Sequence, residues 1–403
     1  MPWSETCPME ERTRFVLEAL EGWTSMSELC ESFGISRRTG YKWLKRYEYG
    51  GLSGLADLPR APHRQAQETL PEVVAQIVAL RRERPTWGPR KLRARLERLH
   101  PQTSWPAAST IGAILSREGL IEKRARRTRR QGAWNSTRTR AVAPNQVWTA
   151  DFKGEFRLGN TRLCYPLTVV DSHSRFLLEC RALPGTNARG VRGSFERTFR
   201  EYGLPEVIRT DNGTPFSSQA VAGLSQLAVW WVRLGIGLER TRPSHPQDNG
   251  AHERMHRTLK AEATQPARDT PELQQRTFDR FRRLYNDERP HEALLQQTPS
   301  SLYEPSERAM PKRLPLLEYP DGYLQRRVSN KGLIKWRRKT YFVSGTLHHQ
   351  VVGLEHLSDG IFNVYFGPVY LGQLNEQRQE LQLTRGKNGP HPHEREGIKV
   401  LPM

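Results

Sequence analysis

The sequence predicts a multidomain chain, with all-α helix-turn-helix modules first, a mixed α/β core in the middle and a small β-barrel toward the C-terminus. Three observations carry this. Apolar residues follow a helical period up to residue 121, then from 145 fall into short β-rich runs interleaved with helices. Over 323–375 they alternate with polar residues, punctuated by Gly345, Gly353, Gly360 and Gly367. At 403 residues the chain also exceeds one typical domain, and two to four are expected.

Residues 1–50 form the first module. Phe15, Val16, Ala19 and Leu20 make an apolar stripe, followed by Met26, Leu29, Cys30 and Phe33. Gly34-Ile35-Ser36 then turns into a helix carrying Arg37, Arg38, Tyr41, Lys42, Lys45 and Arg46. A small turn residue, an apolar lock, a capping serine and a basic helix are helix-turn-helix grammar, and such a helix fits a major groove. The bland reading is a helical hairpin with a solvated basic face. Residues 51–70, rich in Gly, Pro and Arg, read as a linker. The helical theme returns over 71–121 with Val73, Val74, Ile77, Val78, Leu80, Leu92, Leu96, Ile111, Ile114 and Leu115. Residues 122–143 are a basic linker. Within it, Arg126, Arg127, Arg129 and Arg130 mark a phosphate-binding arm or a disordered segment, and the two are compatible because such arms order on DNA.

From 145 the pattern gives strands over 146–152, 162–170 and 175–182, a helix over 186–202 and a strand over 206–210. A helix over 219–234 and a strand over 236–241 follow. Three strands and then alternating helices and strands is the order of the ribonuclease-H-like fold. The small barrel is expected over 320–376, with Lys335, Arg337, Arg338 and Lys339 as a basic edge. DNA contact, partner contact and stability alone stay open as its role. Residues 377–403 read as a disordered tail.

Sixty-three Lys and Arg against 43 Asp and Glu leave a net charge of +20, with a pI near 10.2. An excess of that size favours a polyanion, because each neutralised phosphate releases counterions. Cys7, Cys30, Cys164 and Cys180 lie far apart with no CxxC pair. That spacing argues against a zinc knuckle or disulfide framework and fits a reducing cytosol. No apolar run reaches transmembrane length, and Met1-Pro2-Trp3-Ser4-Glu5 lacks a signal-peptide shape. The expected setting is the bacterial cytoplasm, in association with the nucleoid, and no membrane partner.

Three carboxylates carry the chemistry. Asp151 follows one β-rich run, Asp211 follows another in Arg209-Thr210-Asp211-Asn212-Gly213, and Glu253 opens a polar helix over 251–262. Acidic residues at strand ends and a helix start converge on one point at a sheet edge. Mg²⁺ takes oxygen ligands, few of them carboxylates, and leaves room for substrate phosphate. Such a cluster in a basic protein suggests two-metal phosphoryl transfer on nucleic acid. Arg257 and Lys260 follow Glu253 by four and seven positions, so they share its helical face beside the metals.

The order Asp, Asp, Glu, with Asp211-Asn212-Gly213 and Asn249-Gly250-Ala251-His252-Glu253-Arg254, resembles the DDE catalytic core of integrases and insertion-sequence transposases. Tyr285-Asn286-Asp287-Glu288-Arg289-Pro290-His291-Glu292-Ala293-Leu294 is similar to the segment after the catalytic helix in many bacterial transposases of this type. Trp87-Gly88-Pro89-Arg90-Lys91-Leu92 resembles part of their second helix-turn-helix module. The step from 211 to 253 is wider than in retroviral integrases, and their His/His/Cys/Cys zinc module has no counterpart here. The resemblance covers 144–305. It implies a DNA transposase that cleaves transposon ends and transfers the 3′-OH into target DNA. It also implies that Asp151, Asp211 and Glu253 are catalytic and hold two Mg²⁺ (or Mn²⁺) ions. The implied partners are double-stranded DNA, as terminal repeats and target, and further copies of the chain assembled on it. Residues 244–250 are then the mobile loop before the catalytic helix.

A rival motif overlaps the third carboxylate. His252-Glu253-Arg254-Met255-His256 is H-E-x-x-H, the helix signature of zinc metalloproteases, with Glu272 as a distant third ligand. Against it stand the charges around it, Leu259 and Glu262 where a metzincin has Gly and its third His, and the unexplained Asp151 and Asp211. His252 and His256 are therefore expected to face DNA or solvent, and Asp171 to be a structural turn residue. A non-catalytic DNA-binding regulator is the other alternative. Metal dependence separates them: Mg²⁺-dependent nicking, zinc-dependent proteolysis, or DNA binding alone.

Overall fold

The computed structural model describes residues 7–58, 69–121, 139–242 and 250–384. The chain divides into two compact units, one ending at Thr69 and one beginning at Leu70.

In the first unit, α1 (Pro8–Glu21), α2 (Met26–Ser32) and α3 (Arg37–Gly50) pack around Phe15, Val16, Leu29, Cys30 and Leu55. Ser25 accepts from the Glu28 N–H while Glu28 reaches back to the Ser25 N–H, a reciprocal cap that starts α2. Ser36 accepts from the Thr39 N–H and starts α3. The turn between them needs Gly34 at φ 62°.

The second unit opens with α4 (Pro71–Glu83), α5 (Pro89–Leu99) and α6 (Ala108–Arg117), closed around Ile77, Trp87, Leu92, Leu96 and Ile111. Then comes a mixed sheet of β1 (Val147–Phe152), β2 (Phe156–Arg157), β3 (Leu163–Asp171), β4 (Leu177–Leu183), β5 (Val207–Thr210) and β6 (Gly237–Arg240). Strands β3 and β4 run antiparallel beside β1, while β5 and β6 lie parallel to it on the other side. Short β2 adds to the start of β3. On one face Trp148, Ala150, Leu167 and Val169 meet Val191, Phe195 and Phe199 of α7 (Ala188–Tyr202) and Trp230 and Trp231 of α8 (Gln226–Arg233). On the other, Val170, Leu177 and Cys180 meet Met255 and Leu259 of α9 (Gly250–Ala263) and Phe278 and Phe281 of α10 (Pro271–Arg283).

The C-terminal strands are β7 (Leu324–Arg327), β8 (Leu333–Trp336), β9 (Lys339–Phe342), β10 (Val351–Ser358), β11 (Ile361–Phe366), β12 (Val369–Asn375) and β13 (Glu380–Leu383). They correct the expected barrel. Five form an open antiparallel sheet in the order β13-β12-β11-β10-β7, and β8-β9 is a separate hairpin. No ladder among the described residues closes the ring. Its apolar face is covered in another way: Val352, Leu354, Phe362 and Val364 pack against Ile334 and Trp336 of the hairpin and Ala228, Val229 and Val232 of α8. Helix α8 is thus buried on two sides, which accounts for its run of apolar residues. It is shorter than expected, because Val221–Gly223 forms a 3₁₀ turn with Ala222 at φ 50°. Strand β13 lies within the stretch expected to be tail.

Candidate active site

The sheet register brings two of the three carboxylates together. Ala150 of β1 pairs with Thr210 of parallel β5, so Asp151 and Asp211 leave neighbouring strands at the same level. Asp211 begins a turn in which the Gly213 N–H donates to its Oδ1 at 3.1 Å. Glu253 lies in the first turn of α9, where the helix dipole favours a negative charge. Burial drives the Asp151 carboxyl up to about 7, helped by the charges of Asp211 and Glu253 and opposed by the Phe152 N–H and Lys153. The three acidic groups therefore share one electrostatic site. Arg240 closes its floor, donating to Thr210 Oγ1 at 2.9 Å, with its own pKa lowered to about 10 by burial.

The two histidines overturn the expectation that they face DNA or solvent. His252 is 1% and His256 8% exposed, because positions 252, 255, 256, 259 and 263 form the inner face of α9. His252 bonds Thr149 Oγ1 through Nδ1 at 2.8 Å and Thr168 Oγ1 through Nε2 at 2.7 Å. His256 Nε2 bonds the same Thr168 oxygen at 2.7 Å, and its Nδ1 lies 3.9 Å from Asp151 Oδ2. Burial holds both imidazoles neutral, with the His256 pKa lowered to about 3. The zinc-protease arrangement is not formed. Both nitrogens of His252 are engaged by threonines, Glu253 is exposed, and Glu272 caps the start of α10 with Thr270. Thr149, Thr168, Lys153 and Arg240 were not singled out by sequence; threonine in a strand reads simply as β-propensity. Asp171 is structural: fully buried, it accepts from Ser174 N, Ser174 Oγ and Asn145 N.

Among the basic candidates, Arg257 and Lys260 are exposed on α9 along with Glu253. In α3, Arg37, Arg38, Tyr41, Lys42 and Lys45 are exposed. Arg46 is not free for a groove, since it donates to the Ala56 carbonyl at 2.5 Å and stacks 4.7 Å from the Trp43 ring centroid. Arg126, Arg127, Arg129 and Arg130, like the loop over 244–249, lie outside the described residues. A cleft of about 1180 Å³ on the α9 side of the sheet is lined by Arg140, Arg175, Arg209 and Arg254 and reaches Thr149 and His252. The arginines around α5 are committed to the catalytic core. Arg84 and Arg95 both reach Glu288 at 3.1 Å, Arg90 reaches Glu292, and Arg98 donates to the Gln296 carbonyl.

The chain is similar to known proteins. Models of an integrase core domain match residues 141–246 and 234–299, a helix-turn-helix domain model matches 11–63, and a homeodomain-like model matches 39–115. An insertion element IS407 protein of Burkholderia multivorans is 29% identical over 57% of this chain and 79% of its own length. An insertion element IS476 protein of Xanthomonas euvesicatoria is 26% identical over 59% and 67%. The Gag-Pol polyprotein of baboon endogenous virus is 32% identical over 33% of this chain, which spans 7% of that polyprotein. The HTLV-2 integrase catalytic core domain in complex with magnesium superposes with a TM-score of 0.34 at 17% identity, covering 41% of this chain and all of that one. The core models and the insertion-element relatives together identify the chain as a DDE-type DNA transposase of the insertion-sequence kind, built on an integrase-type catalytic core.

Proposed function

We propose that this transposase cleaves DNA at the ends of its own element and joins the freed 3′-OH to target DNA, using Asp151, Asp211 and Glu253 as its catalytic carboxylates. One observation carries the reading. Asp151 and Asp211 leave neighbouring strands at the same level, and partial burial, with the charges of Asp211 and Glu253, raises the Asp151 carboxyl to about 7. Carboxylates confined where their charges repel gain most from a divalent cation, and an all-oxygen donor set of this kind suits Mg²⁺ or Mn²⁺. When bound, two such ions supply Lewis-acid polarisation of the phosphodiester and an activated water or 3′-OH.

The protein's own share is positioning and charge stabilisation. Arg257 and Lys260, on the outer face of α9 with Glu253, hold the DNA backbone beside the carboxylates. Arg140, Arg175 and Arg254 line a cleft that accommodates further phosphates. Arg37, Arg38, Tyr41, Lys42 and Lys45 read base edges in the terminal repeats, and the 122–143 segment adds affinity independent of sequence. The C-terminal module contributes a basic edge at Lys335, Arg337, Arg338 and Lys339. Copies of the chain assemble on paired DNA ends, in the bacterial cytoplasm at the nucleoid.

The test uses DNA carrying the ends of the element, with Mg²⁺ or with EDTA. Asp151→Asn, Asp211→Asn and Glu253→Gln should each abolish nicking and joining while leaving end binding intact. Wild-type turnover in any one of them removes that residue from the catalytic set.

A further inference from the structure

The buried histidine pair leaves one nitrogen over. Thr168 Oγ1 lies 3.0 Å from the Asp151 carbonyl oxygen and 2.7 Å from Nε2 of both His252 and His256. A hydroxyl has one proton to give and lone pairs to accept with. The carbonyl can only accept, so Thr168 donates to it and both imidazoles donate from Nε2. His252 Nδ1 is then an acceptor and takes the Thr149 proton at 2.8 Å, in preference to the Val170 carbonyl at 3.3 Å. Both nitrogens of His252 are used. His256, protonated on Nε2, keeps a lone pair on Nδ1, and that atom lies 3.9 Å from Asp151 Oδ2.

Two acceptors at 3.9 Å are too far apart for a direct hydrogen bond. Metal bonds of about 2.0–2.2 Å on each side span that gap with little movement. Donor atoms of Asp151, His252 and His256 all lie within 4.8 Å of one another. We propose that His256 Nδ1 is a further ligand of the ion held by Asp151, giving that ion a mixed nitrogen and oxygen shell. The assignment rests on Asp151 being a metal-binding carboxylate. His252 and Thr168 are positioning residues: they fix the His256 ring with its lone pair toward the carboxylate, as outer hydrogen bonds do for metal-bound imidazoles. A nitrogen ligand favours Mn²⁺ over Mg²⁺, since imidazole suits transition metals and Mg²⁺ prefers oxygen.

The experiment loads the full chain with Mn²⁺ and records pulsed EPR for coupling to directly bound nitrogen, in natural-abundance and ¹⁵N-histidine protein. Calorimetry gives Mn²⁺ and Mg²⁺ affinities in parallel. His256→Gln is the matching variant, because its amide nitrogen replaces Nε2 toward Thr168 and nothing replaces Nδ1. The expected result is histidine nitrogen coupling in the wild type and its loss in His256→Gln. Mn²⁺ affinity should fall by at least about tenfold, with Mg²⁺ affinity changed by less than about twofold. Bound Mn²⁺ with oxygen ligands only, in the unsubstituted protein, overturns the inference and leaves the carboxylate reading intact. So does nitrogen coupling that survives in His256→Gln. Wild-type protein that binds no Mn²⁺, by contrast, removes the carboxylate reading itself. Should the variant fail to fold, the ¹⁵N-labelled wild-type spectrum alone decides whether a histidine is bound.

Discussion

Asp151→Asn should stabilise the metal-free protein while removing its activity. Raising a carboxyl from 3.8 to about 7 corresponds to about 4 kcal/mol of disfavoured charge once the group is ionised. The folded state binds this proton more tightly than the unfolded chain does. The contribution is therefore fully present below pH 3.8 and lost as pH rises through about 7. At pH 8 the wild type carries the whole penalty, whereas asparagine carries none. The side chain keeps 22% of its surface open, and water screening brings the expected gain down to about 2 kcal/mol. For a unit of this size that is roughly 3–5 °C in melting temperature. The assay is thermal melting of the full chain in EDTA at pH 5 and pH 8, then with saturating Mg²⁺. The gain at pH 5 should be under half of that at pH 8, because there the unfolded carboxyl is ionised while the folded one stays neutral, and it should shrink with Mg²⁺, which stabilises the wild-type anion. A variant that melts at or below the wild type at pH 8 in EDTA would refute the electrostatic argument.

Other substitutions separate recognition from scaffolding. Arg38→Ala, at an exposed position of α3, should leave melting unchanged and cost about 1–3 kcal/mol in discrimination between terminal repeat and random duplex. Arg46→Ala should instead destabilise the N-terminal unit by about 1–2 kcal/mol, through the lost Ala56 hydrogen bond and Trp43 stack, as read by its melting. Gly40→Ala places a Cβ 2.6 Å from Cys30 Sγ and 2.8 Å from Phe15 Cζ. Overpacking of about 1–3 kcal/mol should outweigh the helix-propensity gain and lower the melting temperature of that unit. Glu288→Gln removes the carboxylate that Arg84 and Arg95 share, leaving Arg84 only its pair with Glu83, and should cost about 1–3 kcal/mol. Amide exchange along α5 should rise, and unchanged exchange there would show that the arginines do not anchor that helix.

What was legible in the sequence, and what was not, follows from the range of each signal. Asp151 and Asp211 sat at the ends of β-rich runs, and strand ends are set locally by composition and turn residues. The register that places them side by side depends on β1 pairing with β5 across sixty residues, and no local pattern encodes it. The C-terminal strands were readable from alternation, yet alternation says nothing about what covers the apolar face. The run from Leu227 to Val232 held the missing information: a helix apolar on all sides is claimed by two neighbours, here the catalytic sheet and the C-terminal sheet. The arginines around α5 were ambiguous in a different way. A basic helix looks the same whether it meets phosphate or Glu288.

Helix α9 shows where local charge misleads. Read for its charges, Arg254, Arg257 and Lys260 suggest a solvated helix and draw His252 and His256 out with them. Read for its period, 252, 255, 256, 259 and 263 are one stripe, and that stripe is buried. The two faces then have separate duties on one rigid element. The outer face presents Glu253 with the cations that follow it, and the inner face anchors to β1 and β3 through Thr149 and Thr168. Because Thr149 stands two residues before Asp151 on the same strand face, and Thr168 pairs with Asp151 across the ladder, the anchor fixes Glu253 relative to Asp151. The distance between two carboxylates remote in sequence is thus set by a buried hydrogen-bonded network rather than by the carboxylates themselves, whose mutual repulsion would otherwise drive them apart.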